Sequence, residues 1–199
     1  MDLSNHVDKI NGLIVSSNRD RELELEVRFK DKINISKFTE LLGKLKGMKS
    51  HLESVDPIIT ETLDITFPEK GMNARVTLTG NKDIISFCKN GDFKGIEPQF
   101  IDKIRVGSWI DINDYNIRFN LKKEVVKSQK SPEVVAIKSQ INNMNKEFRY
   151  KKRYSFVTKD KLFQFDLTVL KTSTTRETRG ANVKKMKKEV KPFMEKFVI

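Results

Sequence analysis

Glu22-Leu23-Glu24-Leu25-Glu26-Val27-Arg28-Phe29-Lys30 alternates strictly between charged and apolar residues. A period of two is the pattern of a β-strand with one polar and one buried face. Glu22, Glu24 and Glu26 fall on the same face, each about 7 Å from the next by the rise of a strand. Neighbouring carboxylates repel unless a cation or basic groups answer them, and two of them can share one hard cation. A solvated outer face of an edge strand is the plainer reading of the same pattern.

The basic counterpart lies in Glu147–Val157, where Arg149, Lys151, Arg153 and Ser155 share one face. Phe148, Tyr150, Tyr154 and Phe156 share the other, with Lys152 the exception. Aligned cations are reasonable when they meet a polyanion or carboxylates of another strand. The theme repeats at Arg118, Asn120, Lys122 and Glu124, at Arg75, Thr77 and Thr79, and at Asp166 and Thr168. Charged faces on several strands predict a closed or nearly closed antiparallel sheet with a polar interior, its apolar faces covered by helices.

The remaining segments fit that frame. Residues 36–53 carry Phe38, Leu41, Leu42, Leu45 and Leu52 at helical spacing, with Ser36 as the expected N-cap. Residues 60–67 and 74–79 read as two strands of a hairpin joined by PEKGMN. Residues 1–20 and 82–89 read as short helices, and 90–114 as loop-rich with a strand or helical turn around 101–112. Further strands are expected at 116–123 and 161–171, with a turn at Thr158-Lys159-Asp160. Residues 127–145 are read as a polar, flexible excursion, and residues 183–198 as a basic helix interrupted by Pro192. The expectation is a mainly β (α+β) chain, one domain over residues 1–199.

Composition narrows the function. With 199 residues, 13 Phe and 37% hydrophobic residues, the chain can build a core and is not compositionally disordered. The single cysteine, Cys88, excludes an intramolecular disulfide framework and a CxxC zinc site. With two histidines, any metal is expected to be hard and oxygen-bound. No run approaches the about 18 apolar residues of a membrane span, and MDLSNHVDKI has no signal-peptide core, so an intracellular, non-secreted protein without membrane contact is expected. The net charge is +12, and residues 146–199 hold 16 basic against 6 acidic residues, leaving 23 against 21 elsewhere. Such a concentration suggests a polyanionic partner. Cys88 is read as a small buried residue, and Trp109 as core or loop packing in preference to a base-stacking platform. His6 and His51 are given no chemistry, and Lys184, Lys185, Lys187 and Lys188 are read equally as a solvated helix face or an RNA or partner contact.

The ordered set of motifs resembles the triphosphate tunnel metalloenzymes, in particular the RNA triphosphatase domain at the N-terminus of capping enzymes of large DNA viruses. The set is ExExE at Glu22–Glu26, RVxL from Arg75, Arg118-x-Asn120 with Glu124, RxKxR at Arg149–Arg153 and DxT at Asp166–Thr168. The resemblance covers residues 20–171. It implies an eight-stranded antiparallel tunnel with Mg²⁺ or Mn²⁺ on Glu24 and Glu26, and Glu22 nearer the mouth. By the same likeness Arg149, Lys151 and Arg153, with Arg75 and Arg118, grip a triphosphate, and Asp166 and Thr168 support them. The implied reaction is removal of the γ-phosphate from 5′-triphosphate RNA, the first step of cap formation in a virus. That implies the host cytoplasm or virion as location and guanylyltransferase or methyltransferase domains as partners. The family's second ExE strand is not found after Asp166, so a domain truncated at its C-terminus is expected. The alternatives are a non-catalytic RNA or polyanion-binding module and a tunnel-fold phosphohydrolase of small triphosphates or polyphosphate.

Overall fold

The computed structural model describes residues 4–20, 22–67, 74–107, 109–144 and 146–172. In chain order the elements are α1 (Ser4–Arg19), β1 (Leu23–Phe29), α2 (Ile35–Gly47), β2 (Ile58–Thr66), β3 (Ala74–Thr79), α3 (Asn81–Asn90), β4 (Gln99–Arg105), β5 (Ile110–Ile112), β6 (Ile117–Val126), α4 (Pro132–Gln140), β7 (Glu147–Val157) and β8 (Gln164–Thr172). Residues 1–34 and 101–127 make one compact unit, and residues 35–100 and 128–199 make another. The PEKGMN turn, the basic 183–198 segment and its lysines lie outside the described residues.

In the first unit β6 is the centre. It pairs antiparallel with β1 from Leu23↔Lys123 to Phe29↔Ile117, with β4 from Ile101↔Val126 to Arg105↔Lys122, and with β5 at Ile110↔Phe119. Opposed residues share a face of a sheet. This register puts Glu24, Glu26, Lys103, Arg105, Asp111, Arg118, Asn120, Lys122 and Glu124 on one polar face. The other face carries Leu23, Leu25, Val27, Phe119 and Leu121, and α1 packs in this unit on β1, β5 and β6. The burial is thin: Ile101, Ile112 and Leu121 are buried, whereas Val27 is 51% and Phe29 63% exposed.

The second unit is a four-stranded antiparallel sheet in the order β3-β2-β7-β8. Its apolar face is Leu63 and Ile65 of β2, Val76 and Leu78 of β3, and Phe148 and Tyr150 of β7. These close over Ile84 and Phe87 of α3 and Val134 and Ile137 of α4. Phe93 stacks on Phe87 at 5.1 Å and meets Phe100 edge-on at 6.1 Å. A smaller cluster joins Phe38 of α2 to Tyr154 and Phe156 of β7. Gly91 ends α3 in the left-handed region, φ 81°, donating its N–H to the Phe87 carbonyl at 2.7 Å. Only glycine adopts that conformation without a Cβ penalty.

Four expectations are corrected. The 127–145 segment is no flexible excursion: Ser131 Oγ accepts from the Val134 N–H, Pro132 opens the helix, and Val134, Ile137 and Ile141 are buried. Pro at the first helical position and a Ser N-cap form a start signal, and the three residues mark one helical face. α2 begins at Ile35, so Ser36 lies inside the helix and does not cap it. β6 runs on to Val126 because Glu124, Val125 and Val126 find partners on β4. β8 starts later, at Gln164, because Asp160 accepts hydrogen bonds from Thr158 Oγ1 and the Leu162 N–H and holds a longer turn, with Lys161 at φ 60°.

Candidate active site faces

On the polar face of the first unit, acids and bases alternate across strands. Lys103 Nζ reaches Glu124 at 2.6 Å and Glu24 at 3.4 Å. Lys122 Nζ donates to Glu26. Burial alone would raise the Glu26 carboxyl, but the Lys122 hydrogen bond and charge, with Lys103 and Arg28 behind it, hold it below the ordinary value of 4.5. Glu22 stands apart from these two. It sits in the turn before β1, and its carboxylate takes a hydrogen bond from Lys123, which raises the lysine's pKa. Lys123 is registered with Leu23, one step off the Glu24–Glu26 row.

Arg118 is held in a fork by Asp111, Nε to Oδ1 at 2.6 Å and Nη2 to Oδ2 at 2.7 Å. That two-point contact keeps Asp111 below the usual carboxylate range. The Arg118 guanidinium also lies 4.5 Å from the Trp109 ring centroid, and that of Arg105 lies 4.6 Å from it. Trp109 is 43% exposed, so it is a loop residue over charged neighbours and not part of the core. Asn120, registered with Glu26, is buried with its Nδ2 unpartnered among the described residues.

In the second unit the polar face is dominated by cations. Arg75 of β3 and Arg149, Lys151 and Arg153 of β7 share it with Asp64 of β2 and Asp166 of β8, by register. Asp64 is 1% exposed and is the anchor. It accepts from Thr77 Oγ1 at 3.0 Å and from Lys151 Nζ, and Arg75 Nη1 lies 3.8 Å away. Burial pushes the Lys151 amine below the ordinary lysine value; Asp64 opposes this, and the charges of Arg75 and Arg149 reinforce it. Arg153 Nη1 meets Asp166 at 3.2 Å, and Asp166 also accepts from Ser155 Oγ at 2.7 Å and Gln164 Nε2 at 2.9 Å. Thr168 is registered with Arg153. Arg149 is exposed, and no carboxylate pairs with it among the described residues.

The candidate residues of the sequence therefore fall into two sets. Glu22, Glu24, Glu26 and Arg118 belong to the first unit; Arg75, Arg149, Lys151, Arg153, Asp166 and Thr168 belong to the second. The sequence reading did not single out Asp64, Lys103, Lys122 or Asp111 as site residues. Strand register was the missing signal, since it brings each of them against a residue already marked. Cys88 is buried, as expected, and burial raises its thiol to about 11.

The donors on the first face are carboxylate oxygens, the chemistry of a hard divalent cation. Among the described residues no three carboxylate, imidazole or thiol groups come together as a metal cluster. Glu24 and Glu26 are two such carboxylates, and each is paired with a lysine, Lys103 and Lys122.

The fold is the mainly antiparallel β architecture of the triphosphate tunnel proteins. A triclinic crystal structure of the Mimivirus capping enzyme triphosphatase matches at a TM-score of 0.64 and 19% identity, over 98% of this chain and 97% of that one. The RNA triphosphatase domain of a trifunctional mimivirus mRNA capping enzyme matches at 0.60 and 19%, over 98% of each chain. No family model matches the sequence, and no curated protein matches it significantly. At this identity the likeness establishes the fold, and function must be argued from the residues.

Proposed function

We propose that the chain is a metal-dependent RNA 5′-triphosphatase, releasing the γ-phosphate of 5′-triphosphate RNA in viral mRNA capping. The observation that carries this is the second unit's polar face, where Arg75, Arg149, Lys151 and Arg153 gather with three carboxylates, Asp64, Glu147 and Asp166. Such an excess suits the oxygens of a triphosphate, whose charge otherwise repels an attacking water. Arg149 supplies an exposed cation with which no carboxylate pairs among the described residues, Arg153 is oriented by Asp166, and Asp64 fixes Lys151 beside Arg75. A water oxygen bonds to the γ-phosphorus as the bond to the β–γ bridging oxygen breaks, leaving 5′-diphosphate RNA and phosphate. Glu24 and Glu26 would hold Mg²⁺ or Mn²⁺, an ion whose chemistry is to neutralise phosphoryl charge.

A second reading has its own support. Glu24 and Glu26 are each already answered by a lysine, as in a module that binds RNA and does not hydrolyse it. One assay separates the two: γ-labelled triphosphate RNA incubated with Mg²⁺, with Mn²⁺ and with chelator. The proposal expects release with metal only, lost in Glu24→Ala and Glu26→Ala while the fold is kept. Release that persists in chelator and in both variants overturns the site assignment. Salt-dependent RNA binding without release under any condition establishes the binding module instead.

A further inference from the structure

Trp109 is the chain's single tryptophan, and nothing in the proposed hydrolysis uses it. The residue is 43% exposed, and two guanidiniums lie over its ring, at 4.5 and 4.6 Å from the centroid. The two are not alike. Arg118 is locked by both oxygens of Asp111 and forms a fixed support for the indole. Arg105 is exposed, and among the described residues no carboxylate pairs with it.

A groove adjoins the ring, lined by His6, Lys9 and Leu13 of α1 with Ile110 and Asp111 of β5. His6 Nδ1 is buried there without a hydrogen-bond partner among the described residues, and Lys9 is exposed at its rim. A part-exposed indole and a lysine in one groove, with a guanidinium over the ring that no carboxylate pairs with among the described residues, match what a single-stranded nucleic acid presents. That is a π-face, a phosphodiester charge and edge or hydroxyl hydrogen-bonding groups.

We infer that Trp109 is a stacking platform for an unpaired nucleobase of RNA, with Arg105 taking the adjoining phosphodiester. This rests on the RNA reading above for its substrate class and adds a base-recognition site to it. The site gives the chain a grip on RNA that a free triphosphate does not offer.

Because Trp109 is the only indole, its fluorescence reports on this site alone. The intact chain is titrated, with chelator present to prevent turnover, with a short 5′-triphosphate oligoribonucleotide, the same oligomer with abasic residues, and inorganic tripolyphosphate. Saturable quenching by the base-bearing oligomer only is the expected result. Trp109→Ala, followed by filter binding, weakens binding of that oligomer roughly 5- to 150-fold, the range for losing one base–aromatic stack. Trp109→Phe restores most of it, and tripolyphosphate binding changes less than twofold in either variant. Arg105→Gln, at an exposed position, weakens oligomer binding and lowers its salt dependence. Equal quenching by tripolyphosphate, or unchanged oligomer affinity in Trp109→Ala, overturns the inference. Quenching without phosphate release in the hydrolysis assay leaves the stacking site standing and removes the catalytic reading, so the two fail separately.

Discussion

In the first unit each carboxylate of the polar face meets a cation from a neighbouring strand: Glu24 and Glu124 share Lys103, Glu26 has Lys122, and Asp111 has Arg118. In the second, one buried aspartate serves Lys151 and Arg75 together, Asp166 takes Arg153, and Arg149 has no carboxylate among the described residues. The backing differs too. The second face stands on a sheet whose reverse side is closed by α3 and α4, with residues such as Ile65, Phe87 and Ile137 fully buried. The first stands on a thinly covered sheet. Each carboxylate of the first face is thus already answered by a cation. The second carries more cations than carboxylates and stands on a closed core.

The largest expected effect strikes the anchor of the second face. Asp64→Ala leaves Lys151 and Arg75 without their buried counter-charge, and removing one partner of such a group costs about 3–5 kcal/mol. Asp166→Ala, at a more exposed pair, costs at most about 1 kcal/mol. Similar urea midpoints for the two variants would break the distinction between anchored and surface pairs. Next comes the backing. Ile137→Ala is expected to cost about 2–5 kcal/mol, and Val27→Ala in the thin sheet within about 0.5 kcal/mol. Equal losses in chemical denaturation would mean that the two sheets are equally well supported.

The third prediction concerns the self-paired face and acid. Glu26 has a folded pKa below 4.5, so its stabilising contribution is complete above the unfolded value and is lost as pH falls through the folded one. Acidification from pH 7 to pH 3 should therefore lower the urea midpoint of the native chain more than that of Glu26→Gln. Identical shifts would show that the Lys122 pairing has no thermodynamic weight. The smallest effect is a slow reaction. With its thiol raised to about 11 by burial, Cys88 should react with a thiol reagent at neutral pH only as fast as the second unit opens, and promptly in denaturant.

The strands of both faces could be read from alternation because polar and apolar side chains take opposite sides of each strand, as Glu147–Val157 shows apart from Lys152. α4 could not be read that way. Its buried Val134 and Ile137 fall in a run with Val135 and Ala136 that shows no helical alternation, Ile141 follows only after Lys138, Ser139 and Gln140, and the flanking 127–130 and 142–145 stretches are mostly polar. The start signal Ser131-Pro132 was there to be used. The ion pairs were illegible for a different reason. Lys122 meets Glu26 across 96 positions, and Lys151 meets Asp64 across 87, through registers that no local pattern encodes. Trp109 was assigned to packing because a lone tryptophan in a loop gives no sign of which neighbours the fold will bring to it.

Lys146 adds a correction to the charge count itself. It opens the strongly basic stretch of the sequence, yet it is completely buried, its Nζ donating to the carbonyls of Ile141 and Met144 just beyond α4. There it does the work of a helix cap and contributes nothing to the face a ligand meets. A lysine-labelling footprint would find it the last of its neighbours to be modified, a clock for the opening of the core beneath the cationic sheet. The sum of a chain's charges is thus not the field its partner feels.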